Sequence, residues 1–448
     1  MSKRYRRKKK FPEGEFEAKI ESLSDDGRGI ARIDGKTTFI RNALPDESVK
    51  FQYTSSTSKY DEGKAVEILE ASSDRVTPAC EYSQICGGCS LHHMSSHAQR
   101  ESKQAAVKRL FSTVSKIDVE SFWAPLIGPT VGYRTKARLG VRYVQKKEKL
   151  LVGFREVGSN KLADIDRCVV LDPRVGEKIK DLKELIQSLE AYDHIPQIEV
   201  ACGDDDVTLV VRHMNPLSEK DIVSLKDFAK LHEFQIMGQP KGPDTIYPLW
   251  PEKTKGLTYQ LCEGRVKHTF EPLDFTQVNQ SINEQMIEQA IKLLDVQPKD
   301  RVLDLFCGLG NFTLPLATKS QFVTGVEGSQ SLVERAKQAA VANQLSDRVS
   351  FYYANLYENW WNLPWARQPV DKLLLDPPRS GAELVVENIQ YLNPKKILYV
   401  SCHAAALARD AGILQNEKGY ELKGIGIMDM FPNTTHVETM ALFEKKSE

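Results

Sequence analysis

Short apolar runs recur through the last third of this chain, and they limit the folds open to it more than any other feature. In order they are RVLDLFCG (301–308), QFVTGVEG (321–328), KLLLDPP (372–378), KILYVSC (396–402) and TMALFEK (439–445). Most are continuous rather than alternating and are bounded by helical patterns or glycines. Strands covered by helices on both faces read this way, because neither face meets water. The pattern predicts a doubly wound, Rossmann-like α/β domain over 272–448, entered through a helix over 279–294. At 448 residues the chain exceeds one compact core, so further domains must precede it.

Phe16 to Ala71 has a different texture. EAKIESL, GIARID, KTTFIRN, SVKFQYT and KAVEILE are short strand patterns parted by Asp26-Gly27, Asp34-Gly35 and Glu62-Gly63. That spacing predicts a small OB-like β-barrel over 13–71. Before it, Met1–Lys10 holds seven Lys or Arg residues and no acid, an arm over 1–12. Such a block is commonly a solvated tail, and it also suits a phosphate backbone. Residues 72–271 mix patterns as a central α+β domain, with a helix over 96–111 and a hairpin over 133–154. Arg134, Lys136, Arg138 and Arg142 lie along that hairpin. With 41% hydrophobic and 27% charged residues, no apolar run of membrane-spanning length and no secretory leader, the expectation is a cytoplasmic protein without a membrane segment.

Eight cysteines in such a chain point to metal or catalysis rather than to disulfides. Cys80, Cys86 and Cys89 are clustered, the last two separated by Gly-Gly, and Cys168 follows far downstream. Four sulfurs suit zinc or an iron–sulfur cluster. Three close cysteines plus one distant lean toward iron–sulfur, since zinc sites more often use two close pairs. His92 and His93 are alternative ligands, whereas Cys202 and Cys262 are expected to be packing residues.

The chemistry-bearing positions fall at the ends of the carboxyl-terminal strands, where open α/β sheets bind ligands. Asp304-Leu-Phe-Cys-Gly308-Leu-Gly310-Asn-Phe312 carries two glycines at a strand-to-helix turn. Thr313 stands where a dinucleotide loop has its third glycine, so phosphate binding is weakly supported. Glu327 ends the next strand, where a carboxylate can accept both hydroxyls of a ribose. This form resembles the loop of class I S-adenosylmethionine methyltransferases. Asp376-Pro-Pro-Arg379 follows at a third strand end, and the absence of an aromatic after the prolines argues against methylation of an exocyclic nitrogen. Cys402 closes a fourth. C5 of uracil is a poor nucleophile until a thiolate adds at C6. Once C5 is alkylated, a base must remove its proton before the sulfur can leave. Glu438, at the start of the last strand, is the candidate base, and His436 is a weaker one.

FTQVN, DLFCGLGNF, GVEG, LLDPPRSG, YVSC and DMFPNTTHVE together resemble the RNA uracil-C5 methyltransferase family. The resemblance implies contacts to S-adenosylmethionine from Gln277, Phe306, Asn311, Glu327, Asn355 and Asp376. It also implies Cys402 as nucleophile and Glu438 as base. The segment around Asp26–Arg32 resembles the TRAM barrel of the family's ribosomal members. Their pattern further implies a 4Fe-4S cluster on Cys80, Cys86, Cys89 and Cys168, and a 23S rRNA substrate methylated at uracil 1939. No obligate protein partner is evident, and a monomer is expected. Two other classes remain open on sequence alone: a catalytically dead RNA-binding scaffold, and a nicotinamide- or flavin-dependent oxidoreductase.

Overall fold

A computed structural model describes residues 11–446, so the basic stretch Met1–Lys10 lies outside the described residues. The chain forms two units. One holds the residues up to Ser102 with Glu156–Asn160 and Pro432–Thr435; the other holds Lys103–Arg155, Lys161–Phe431 and the chain from His436.

The first unit is a six-stranded sheet of β1 (Phe16–Lys19), β2 (Ser22–Leu23), β3 (Gly29–Ile33), β4 (Lys36–Arg41), β5 (Ser48–Ser56) and β6 (Tyr60–Glu70). Its order is β1-β5-β6-β4-β3-β2. Inward residues Ala31, Ile40, Val49, Phe51 and Ala65 meet Ile20 and Ala43 in one small core. Asp34-Gly35 joins β3 to β4 with both φ positive, 50° and 79°. A two-residue hairpin needs that backbone to match strand twist, which is why this dipeptide marks the turn. Just before β5, fully buried Glu47 accepts from the amides of Leu44 (2.8 Å) and Ser72 (3.3 Å) and from Arg75 Nη2 (2.8 Å). Asn433 belongs to this unit as well. Its amide donates to Gln99 Oε1 at 2.8 Å, and its carbonyl accepts from the amide of Leu91 at 2.9 Å.

The division falls inside α1 (Ser96–Leu110), which runs into a π-type turn at Phe111–Ser115. In the second unit β7 (Lys136–Val144) and β8 (Lys149–Gly153) form the expected hairpin. After α2 (Pro173–Gly176) and α3 (Ile179–Ser188) come β9 (Gln197–Cys202), β10 (Val207–Arg212), α4 (Glu219–His232), β11 (Phe234–Gln239) and β12 (Tyr247–Trp250). These strands pair in the order β12-β11-β10-β9-β7-β8. A hairpin of β13 (Leu257–Leu261) and β14 (Val266–Phe270) precedes α5 (Gln280–Leu294), whose N-cap Asn279 accepts from the amide of Ile282.

The last sheet contains β15 (Arg301–Leu305), β16 (Phe322–Glu327), β17 (Val349–Tyr353), β18 (Lys372–Leu375), β19 (Lys396–Ser401), β20 (Tyr420–Met428) and β21 (Glu438–Lys445). α6 (Thr313–Ala317), α7 (Gln330–Ala342), α8 (Glu383–Glu387) and α9 (Ala404–Asn416) are interleaved. The strand order β17-β16-β15-β18-β19-β21-β20 reverses direction of winding between β15 and β18. Successive strand residues feed two apolar layers. Leu374, Leu398 and Val400 face α5 and α7, while Leu373, Leu375, Ile397 and Tyr399 face α8, α9 and Val107 of α1. Side chains alternate across a pleat, so a continuous apolar run is what a two-faced core requires. The last apolar run differs from the parallel strands before it: β21 is antiparallel to both β19 and β20.

Removing one partner of a buried ion pair leaves an uncompensated charge. Glu47→Ala should therefore destabilise the first unit by about 3–5 kcal/mol. An unchanged urea midpoint for its unfolding would contradict this.

Candidate active site

The register of the last strands brings the carboxyl end of β19 to the start of β21. Ser401 of β19 lies opposite Thr439 of β21, and the Thr439 hydroxyl donates to the Ser401 carbonyl at 3.1 Å. Cys402 follows directly on β19 and Glu438 opens β21, and the two are near enough for the charge of Glu438 to act on the Cys402 thiol. Facing positions in an antiparallel pair are nearest neighbours. Glu438 is 7% exposed, whereas Cys402 is half-buried and so open to a partner from outside. The turn before Glu438 is tied down by a buried ion pair, Lys103 Nζ to Asp429 Oδ1 at 2.8 Å. Lys103 also donates to the Phe431 carbonyl at 3.1 Å.

The glycine loop follows β15. The amides of Phe306 and Cys307 both donate to the Val326 carbonyl (2.9 and 3.1 Å), holding the turn over the end of β16. Phe306 has φ 65°, a left-handed conformation for a non-glycine residue. Glu327, the last residue of β16, accepts from the amide of Gly308 at 3.1 Å, leaving its other oxygen for a ligand. Thr313 donates its hydroxyl to Asp304 Oδ2 at 2.5 Å. The residue that replaces a third glycine thus holds a fully buried acid. Asn311 exchanges hydrogen bonds with Asn283 (2.9 and 3.2 Å) and accepts one from the Tyr259 hydroxyl at 3.1 Å. Asn355 caps its own turn, donating to Glu358 and accepting from the amide of Tyr357. Gln277 lies in a segment joined to the start of β7, where the Thr135 amide donates to Val278 at 2.9 Å. Charge links these residues in a chain: Asp304 with Glu327 and Asp376, and Asp376 in turn with Cys402 and Glu438. The hydrogen bonds of Asn355, and those holding the Gln277 segment, do not tie them to Cys402.

Burial governs the protonation of this cluster. It pushes Asp376 up to about 7. Asp304 rises to about 8 through burial and repulsion by Asp376 and Glu327, against the opposing hydrogen bond from Thr313. Glu438 rises to about 8, again through burial and then Asp376, with Arg379 opposing. The Cys402 thiol is pushed up by burial, Glu438 and Asp376, and is pulled down by Arg379. His436 is driven the other way by burial and by Arg379, Lys103 and Arg134, and its Nδ1 lies 3.4 Å from Arg379 Nη2. A neutral His436 is compatible with a base, but Glu438 is the acid whose charge acts on the thiol.

Cys80, Cys86 and Cys89 lie half-buried in successive turns, and the amide of Gly88 donates to Cys86 Sγ at 3.4 Å. Amide donors of this kind tune thiolates that bind clusters. Among the described residues no three His, Cys, Asp or Glu side chains are gathered closely enough to hold a metal ion. His92 and His93 are both buried rather than displayed in a loop. Cys202 and Cys262 are buried packing residues, and burial raises the Cys202 thiol to about 12.

Sequence reasoning did not single out Tyr259, Asn283, Tyr399, Arg409 or Asp410. All five act on the site loops through hydrogen bonds formed across the fold, which leave no local motif. Strand β20 also escaped notice, because its glycines and its exposed Glu421 interrupt the apolar pattern.

Residues 95–354 match the model of the tRNA (Uracil-5-)-methyltransferase family; 297–429 match a methyltransferase domain and 12–66 a TRAM domain. The fold and its strand-end site are thus those of an S-adenosylmethionine-dependent methyltransferase carrying an amino-terminal TRAM domain. The 23S rRNA (uracil(1939)-C(5))-methyltransferase RlmD of Francisella tularensis subsp. novicida is 51% identical, over 99% of both chains. The RlmD of Alcanivorax borkumensis is 50% identical, over 98% of this chain and 99% of that one. The chain belongs to this family of RNA uracil-C5 methyltransferases. In the solved structures, the tRNA (uracil-54, C5)-methyltransferase of Pyrococcus abyssi, in complex with S-adenosyl-L-homocysteine, shares the fold at TM-score 0.73. That match covers 96% of this chain and 100% of the other, with 23% identity. No helix among the described residues is long and apolar enough to cross a membrane.

The residues present fit S-adenosylmethionine chemically: a carboxylate such as that of Glu327 is of a kind that accepts from ribose hydroxyls, and acids near it are of a kind that suits a sulfonium cation. Asp304, Asp376 and Glu438 lose protons as pH rises through about 7 to 8, so the site becomes more negative over that window. Affinity for S-adenosylmethionine should rise about tenfold or more from pH 6 to 8.5, as expected for a one-unit pKa displacement or greater. Affinity for neutral S-adenosylhomocysteine should change far less. Titration calorimetry giving parallel pH curves for the two would refute this.

Proposed function

We propose that this chain methylates C5 of a uridine in 23S rRNA, at uracil 1939 as in its curated relatives, with Cys402 as nucleophile and Glu438 as base. The observation that supports the reading is the pairing of Ser401 with Thr439, next to which Cys402 and Glu438 share the charge environment of Asp376 and Arg379. Phe306, Asn311, Glu327 and Asp376, with Gln277 and Asn355, hold the cofactor. S-adenosylmethionine supplies the methyl group, and the chain does the rest. The Cys402 thiolate forms a bond to C6, and the pair of electrons from the C5=C6 bond is pushed toward C5 and O4. After C5 is methylated, Glu438 takes its remaining proton, the double bond re-forms and the C6–sulfur bond breaks. Glu438 must be ionised for that step. Because burial raises its affinity for a proton, turnover should increase with pH across neutrality.

Cys402→Ala should abolish methylation while S-adenosylmethionine still binds. Glu438→Gln should accumulate an RNA–protein adduct that survives denaturing electrophoresis, since proton removal precedes release of the sulfur. An active Cys402→Ala enzyme would end the proposal.

The remaining parts of the reading extend it to the whole chain. The barrel over 13–71, the basic arm before it and the hairpin arginines bind RNA. Residues 72–271 act as a central domain and 272–448 as the catalytic one. The protein works as a cytoplasmic monomer. Cys80, Cys86, Cys89 and Cys168 hold a 4Fe-4S cluster with a structural role; the amide of Gly88 on the Cys86 sulfur supports thiolate character there. Anaerobically purified protein should contain iron and acid-labile sulfide that Cys86→Ser loses. Zinc without iron would refute the cluster.

A further inference from the structure

Arg379 is the cation that acts on both members of the reactive pair, opposing the acids that face them. It stands on the loop after β18, between two prolines and a glycine, with no regular element to hold it. What fixes that loop is a set of side chains from elsewhere in the sheet domain. Asp410 of α9 is fully buried, and its Oδ2 accepts from the Ala382 amide at 2.8 Å and from the Tyr399 hydroxyl at 2.6 Å. Its Oδ1 accepts from Arg409 Nε at 2.8 Å and Nη2 at 2.7 Å. Arg409 Nη2 in turn donates to the Ser380 carbonyl at 2.9 Å. On the other side the Tyr357 hydroxyl lies 2.7 Å from Ser380 Oγ and donates to the Gly381 carbonyl at 3.2 Å.

Gly381 completes the arrangement. Its φ is +82°, and a β-carbon there would lie 2.6 Å from Arg409 Nη2 and 2.8 Å from Asp410 Oδ2. Both the conformation and the closeness of the two side chains require glycine. The buried carboxylate thus has four donors, supplied by the Ala382 amide, Tyr399 and Arg409, all gathered at this short turn. The residue next to them, Arg379, touches no part of this set and is left pointing elsewhere: its Nη2 lies 3.4 Å from His436 Nδ1, on the turn leading into Glu438.

We propose that Asp410, Arg409 and Tyr399 form a positioning clamp that fixes the Ser380–Ala382 backbone and so holds Arg379 toward the Cys402–Glu438 pair. None of the three touches substrate; they act through Arg379. The proposal rests on the reading of Cys402 and Glu438 given above. The charged and titratable groups facing Cys402 are Glu438, Asp376 and Arg379, and those facing Glu438 are Asp376 and Arg379. His436, beside Arg379, also feels Lys103 and Arg134. Arg379 is the counterweight to two acids, so releasing it makes both the thiol and the Glu438 carboxyl harder to ionise.

The test compares kcat/KM against pH for Arg379→Gln, Tyr399→Phe, Arg409→Met and the double variant Arg379→Gln/Arg409→Met, using unmodified 23S rRNA. Arg379→Gln should move the rising limb to higher pH, costing about tenfold at pH 7 for each unit of displacement and recovering near pH 9. Tyr399→Phe and Arg409→Met should move it the same way by less, with S-adenosylmethionine affinity near that of the parent; Arg409→Met, which leaves buried Asp410 without its cation, should also lower the melting temperature, so the profiles are read well below it. Residues acting through one another are not additive, so the double variant should be no worse than Arg379→Gln alone. An unmoved pH profile in Arg409→Met and Tyr399→Phe, or losses that multiply in the double variant, would overturn the clamp. If Asp410→Asn fails to fold, these variants still decide the matter. An active Cys402→Ala enzyme would instead sink the underlying mechanism, which keeps the two failures distinct.

Discussion

The site depends on one pairing, the antiparallel register of β19 with β21. Had β21 run parallel like the strands before it, its first residue would lie at the opposite end of the sheet from Cys402. Reversal brings the start of β21 to the carboxyl end of β19, where Ser401 pairs with Thr439 and Cys402 and Glu438 are the next residues along. A slip by one residue would turn Glu438 to the other face of the sheet. Apolar layers on both faces forbid that slip, because Met440 and Leu442 belong to one layer and Ala441 and Phe443 to the other.

That pairing sits in surroundings that favour neutral side chains. Asp304, Asp376 and Glu438 are crowded into a buried region, and each holds its proton to pH values well above those of an exposed carboxyl. Near neutral pH these carboxyls are therefore only partly ionised. A positively charged cofactor and the cation of Arg379 shift the balance toward the carboxylates and the thiolate. Charge arriving near Asp376 and Glu438 is thereby coupled to their protonation. The buried Lys103–Asp429 pair and the hydrogen bonds around Ser380–Ala382 supply the rigidity that such coupling needs.

Much of this was legible in the sequence, for definite physical reasons. A strand buried on both faces must be a continuous apolar run, so β15, β16, β18 and β19 announced themselves, and with them the strand ends that carry Phe306, Glu327, Asp376 and Cys402. Asp34-Gly35 marked a hairpin because few dipeptides tolerate two positive φ values. Pairing direction was not legible: TMALFEK reads as a buried strand whether it runs parallel or antiparallel. Nor was β20, since Gly424 and Gly426 interrupt its apolar pattern. Tyr259 with Asn283, and Asp410 with Tyr399, join positions far apart in the chain, and their residue types are ordinary in helices and strands. Only the fold brings them to the loops they hold.

The central claim is that sulfur of residue 402 bonds to the substrate ring, and trapping tests it most directly. In RNA carrying 5-fluorouridine the base has no C5 proton to lose, so the adduct cannot resolve once methylated. Incubation of the wild-type protein with such RNA and S-adenosylmethionine, followed by nuclease and protease digestion and mass spectrometry, should find a methylated fluorouridine nucleotide on the peptide Ile397–Arg409, attached at Cys402. Full methylation of normal RNA by the same preparation, with no nucleotide on that peptide or with one attached elsewhere, would contradict the account.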